Sequence, residues 1–128
     1  MNSVFSILLF SIQSSGQDTI SVYFKFGDAH IPDNQLRELN SISLDYDLSD
    51  LDSIYFIGTT DSIGNSKSNN KLSEKRAKNV AKYCKTQIPS NTPIKIKALG
   101  EKTNLTSHKN RKVDIVLFFP EASILEKQ

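Results

Sequence analysis

Residues 71 to 84 read KLSEKRAKNVAKYC and lie between two short apolar runs, SIYFIG at 53 to 58 and IKIKALG at 94 to 100. The middle stretch has apolar residues at helical intervals, whereas the flanking runs have the length and pattern of strands. A helix that carries the chain from one strand to the next normally joins parallel neighbours. Two further strand patterns fit around this unit. ISVYFKF alternates Ile20, Val22, Phe24 and Phe26 against Ser21, Tyr23 and Lys25, and Gly27-Asp28 should end it. RKVDIVLFF supplies a last strand closed by Pro120, and its short connection suits an antiparallel return. Pro32 and Asp33 open a short helix with Leu36, Leu39 and Ile42 at helical spacing, and LDYDLSDLD reads as a solvated linker. Gly58 should end the second strand, the basic helix should cover about 69 to 86, and Pro93 fits only the start or edge of the third strand. The fold class is therefore α/β (α+β): a mixed sheet with helices packed on it, in the order β-α-β-α-β-β.

One residue breaks the helical pattern. With Leu72 at zero and about 100° per residue, Tyr83, Val80, Cys84, Ala77, Ile88 and Ala81 share one half-circle, and five lysines from Lys71 to Lys85 share the other. Arg76 falls at about 40°, inside the apolar arc. A guanidinium turned toward a core stays charged, so a carboxylate or bound anion should lie close to it. A salt bridge holding the helix to the sheet and a cleft wall that binds a ligand both satisfy that demand. Asp61, directly after the buried strand in GTTDSIG, is the natural partner, at the strand end where ligands of such sheets gather. An antiparallel last strand would bring Arg111 to the same edge. One acid and two arginines suit a zwitterion, with its ammonium on the carboxylate and its carboxylate on a guanidinium.

The 128 residues, 38% apolar and 23% charged, suit one globular domain. Residues 1 to 63 carry nine acids against two bases, and residues 64 to 128 carry five acids against fourteen bases, so the halves stand near −7 and +9. No aromatic residues interleave with the lysines, which argues against a nucleic-acid platform. The apolar run from Val4 to Ile12, followed by small and polar residues, has the form of a signal peptide over residues 1–16, cut before Gln17. Nine residues are too few to span a bilayer, so no transmembrane segment is expected. The lone Cys84 lies on the apolar face and reads as core filler. His30 and His108 have no partner at a catalytic or metal-ligand spacing. Neither an enzyme nor a cofactor is expected.

GTTDSIG, NNKLSEKRAKNVAKY, ALGE and NRKVDIVL, with VYFKFGDAHI at the first strand, resemble in order and spacing the OmpA-like domain that binds peptidoglycan in the bacterial envelope. The likeness covers about residues 20 to 119 and leaves 120–128 as a tail. It implies a mixed four-stranded sheet with helices on one side. It also implies that Asp61 and Arg76 hold the free amino-acid end of diaminopimelate in the stem peptide, with Asn69, Val80 and Arg111 as further contacts. The implied setting is the periplasm, associated with the outer membrane, with the cell wall as partner and an envelope protein as a possible second one. Thr59 stands where the family usually has His, and Gly27 where some members have a polar contact. A scaffold of the same fold without wall binding is the alternative.

Overall fold

The computed structural model describes residues 16–101 and 108–120. The expected signal segment lies outside them except for Gly16, as does the tail beyond Pro120. The described elements are β1 (Gly16–Tyr23), α1 (Asp33–Asn40), α2 (Ile42–Asp45), β2 (Ser53–Thr60), α3 (Ser66–Cys84), β3 (Ile94–Glu101) and β4 (Lys112–Phe119). The strands form one mixed sheet in the order β1-β4-β2-β3. β2 and β3 are parallel and joined through α3, while β4 runs antiparallel between β1 and β2. The fold class read from the sequence is the one observed.

The core lies between the helices and one face of the sheet. Val22, Ile54, Phe56, Val113, Ile115 and Leu117 from the strands meet Ala77, Val80, Ala81 and Cys84 from α3, with Leu39 and Ile42 closing one end. Burial of these side chains is the main driving force for such a domain. Cys84 is 3% exposed, and burial pushes its thiol up to about 12, which makes it packing material.

Several boundaries differ from the sequence reading, each for a local reason. β1 starts at Gly16 and ends at Tyr23, because Lys25 to Asp28 form a turn closed by Asp28 N–H donating to Lys25 O at 3.1 Å. Gly27 takes φ +68° at the third position, where a left-handed residue is required, and Phe26 is left 61% exposed at the tip. The polar start of β1, GQDT, shows no alternation because its first residues face solvent, yet it pairs in register with β4. LDYDLSDLD is not a solvated linker throughout: Leu48 is buried in the core, and a single 3-10 turn spans Leu48–Asp50. α3 is capped by Asn65, whose Oδ1 accepts from Lys67 N at 2.8 Å and Ser68 N at 3.1 Å, so the helix starts three residues early.

Gly58 does not end β2; it is where α3 comes closest to the sheet. A Cβ on Gly58 would stand 2.1 Å from the backbone oxygen of Ser73 and 3.3 Å from Cβ of Ala77. The first obstacle is helix backbone, which has no rotamer to change. Gly58→Ala should therefore lower stability by about 3 kcal/mol or more, measured by urea unfolding; a loss below about 1 kcal/mol would mean that the contact is not tight.

Candidate functional site

Three chain segments converge at the edge of the sheet where β1 and β2 end and β4 begins. Asp61 follows β2 directly and is 3% exposed. Arg111 precedes β4, and its Nη1 lies 3.1 Å from Asp61 Oδ2. Arg111 also donates from Nε to Phe24 O at 3.2 Å, while its own carbonyl accepts from Phe24 N at 2.8 Å. The pair is therefore fastened to Phe24, the residue that follows β1. Asp61 Oδ1 accepts a long bond from Ile63 N at 3.4 Å, and Asp61 O accepts from Asn69 Nδ2 at 3.4 Å.

Arg76 reaches the same region from α3 and is 0% exposed. Among the described residues no carboxylate forms an ion pair with it. Its Nε donates to Asp28 O at 2.8 Å, its Nη2 to Lys25 O at 3.0 Å and its Nη1 to Thr59 O at 3.4 Å. The Phe24 ring lies beneath it, 5.1 Å from ring centre to Cζ, a distance at which the π face attracts the cation. The sequence makes Asp61 the natural partner of Arg76, and the structure places it nearby without a direct bond. The acid bonds Arg111, and backbone carbonyls supply the acceptors for Arg76, because the turn after β1 folds directly over the helix. Asp61 still acts at longer range. Burial lowers the Arg76 pKa to about 10, Asp61 raises it, Arg111 lowers it and Asp28 raises it. The guanidinium remains charged at neutral pH.

The structure brings Asp61, Arg76, Arg111 and Asn69 together at one edge. Val80, one turn along α3 from Arg76, is 0% exposed within the core and presents no surface; its contribution in this conformation is packing. Thr59 is buried, and its hydroxyl donates to Asn110 O at 2.8 Å, so it ties the end of β2 to the segment entering β4.

A model of the OmpA family matches residues 23–115. The chain belongs to the OmpA family. No curated protein matches it. Among solved structures it is similar to the OmpA-like domain of FopA1 from Francisella tularensis subsp. tularensis SCHU S4, at 20% identity and TM-score 0.68, covering 87% of this chain and 85% of that one. It is also similar to the cell wall anchor of the T6SS from Pseudomonas aeruginosa, at 17% identity and TM-score 0.65, covering 90% and 96%. The peptidoglycan-associated lipoprotein from Burkholderia pseudomallei aligns at 24% identity and TM-score 0.52, covering 76% and 88%. At these identities the likeness is one of fold.

Sequence reasoning missed the turn carbonyls of Lys25 and Asp28 and the ring of Phe24. Backbone acceptors have no signature of their own, although Gly27 in FGDA marks the turn that aims them. Arg76→Met would keep most of the apolar stem and remove the donors from three carbonyls. It should cost about 2 kcal/mol or more, read as a shift in the urea midpoint at unchanged slope. An unchanged midpoint would show that these bonds hold nothing together.

Proposed function

We propose that this OmpA-family chain binds peptidoglycan non-covalently through the diaminopimelate of the stem peptide, and so fastens an envelope component to the cell wall without catalysis. The observation that carries this reading is the charge arrangement at the sheet edge. One buried carboxylate lies beside two guanidiniums, and only one of those guanidiniums contacts it. Arg76, bonded to backbone carbonyls and ion-paired with no carboxylate among the described residues, favours a ligand carboxylate, and Asp61 offers an acceptor for an ammonium. A free amino-acid terminus supplies both groups a few ångströms apart. The similarity to a cell wall anchor and to a peptidoglycan-associated lipoprotein supports the same ligand class and an envelope location.

A second reading has an observation in its favour. Arg76 is sealed by packing and by three carbonyls, as a purely structural arginine would be, and this suits a scaffold of the family fold that serves protein assembly. Sedimentation with purified wall sacculi separates the two. Under wall binding, wild type pellets with the sacculi, and Asp61→Asn or Arg76→Lys reduces retention at least tenfold with circular dichroism unchanged. Asparagine keeps the shape of Asp61 without its charge, and lysine keeps the charge of Arg76 without the fork. Equal retention of all three proteins, or none for wild type, would leave the scaffold reading.

A further inference from the structure

Arg76 shows the edge by which it would hold a carboxylate, and that edge is already occupied. Nε and Nη2 lie side by side on the guanidinium, and this is one of the edges on which a carboxylate binds in fork geometry. Here the two positions are filled by Asp28 O at 2.8 Å and Lys25 O at 3.0 Å. These two carbonyls belong to the first and last residues of one turn, so together they stand in for the two oxygens of a carboxylate.

That turn is the outermost layer over Arg76. All four of its residues, Lys25 to Asp28, are exposed, while the guanidinium beneath them has no exposed surface. Asp28 N to Lys25 O closes the turn, His30 N donates to Asp28 Oδ1 at 2.9 Å, and Asn79 of α3 holds the following residue through Ala29 O at 2.9 Å. A Cβ built on Gly27 would meet nothing within 4 Å, so the turn between these anchors has open space around its tip. We propose that the Lys25–Asp28 turn is a flap that competes with the ligand carboxylate for Arg76, and that it must lift before diaminopimelate engages the site. This rests on the diaminopimelate reading above and adds a closed state to it. The observed conformation is the closed, self-satisfied one, and affinity is reduced by the fraction of molecules in which the flap is up. Phe26, at the tip of the turn, is 61% exposed.

Gly27→Ala tests this with a sign that a fixed turn does not share. Gly27 has φ +68°, a conformation costly for any residue with a Cβ, and the added methyl has no neighbour to strike. The substitution therefore weakens the closed turn through backbone strain alone. Affinity for meso-diaminopimelate, measured by calorimetry, should rise roughly fivefold over wild type. A turn that forms a rigid wall of the binding site predicts weaker binding instead. A crystal structure of the wild-type complex gives a second reading that needs no variant: Lys25 O and Asp28 O should both have left hydrogen-bond distance of Arg76. Binding by wild type with equal or weaker binding by Gly27→Ala, or a complex that retains both carbonyl contacts, overturns the flap and leaves the ligand reading standing. Failure of both proteins to bind overturns the ligand reading and the flap with it.

Discussion

A guanidinium with no exposed surface must have its donors satisfied inside the protein, and the arrangement of this domain around Arg76 follows from that requirement. Leaving such a cation unpartnered would cost several kcal/mol, a large part of the net stability of a domain this size. The acceptors come from places far apart in the chain: Lys25 and Asp28 after β1, and Thr59 at the end of β2. Arg76 therefore joins α3 to two strands that are not neighbours in the sheet. Phe24, the residue that follows β1, puts its ring under the charge, so the arginine also packs against the point where β1 leaves the sheet.

Sheet order explains why the charged groups meet. β4 lies between β1 and β2 and runs against both, so the residue that enters β4 stands beside the residues that leave the other two. Arg111 consequently reaches Phe24 O on one side and Asp61 on the other. A fourth strand added at the β3 edge would have placed Arg111 far from Asp61. The acidic first half of the chain and the basic second half also meet here, since Asp28 and Asp61 come from one and Arg76 and Arg111 from the other. The division of charge along the sequence is, at this edge, a complementary contact.

What could be read from the sequence was whatever repeats with a period or stands out against one. The parallel β2-α3-β3 unit followed from two apolar runs with an amphipathic helix between them, and Arg76 was visible because it interrupts that helix's apolar arc. Asp61 and Arg111 followed from being next to strand ends. Features that depend on backbone groups were hidden. The start of β1 is paired through main-chain bonds while its side chains face water, so GQDT gave no alternation. An acid is the partner a sequence suggests for Arg76, because side chains are what a sequence displays, whereas its acceptors are three carbonyls. Leu48 was lost inside an acidic run, because a single apolar anchor has no period.

The position of Arg76 above the sheet is itself set by a glycine. At Gly58 the Ser73 carbonyl occupies the space a side chain would fill, which brings α3 closer to β2 than any Cβ would permit. Arg76 lies one helical turn beyond Ser73, and Thr59 lies one residue beyond Gly58, so the guanidinium meets the Thr59 carbonyl at the height this contact dictates. A helix raised to clear a methyl at residue 58 would lift the guanidinium away from Thr59 O and toward the turn above it. The bond to Thr59 is already the longest of the three, at 3.4 Å against 2.8 and 3.0 Å for the turn. Close packing at Gly58 thus decides how Arg76 divides its donors between the sheet below and the turn above. A glycine that touches none of the charged groups thereby governs how tightly the turn is held over them.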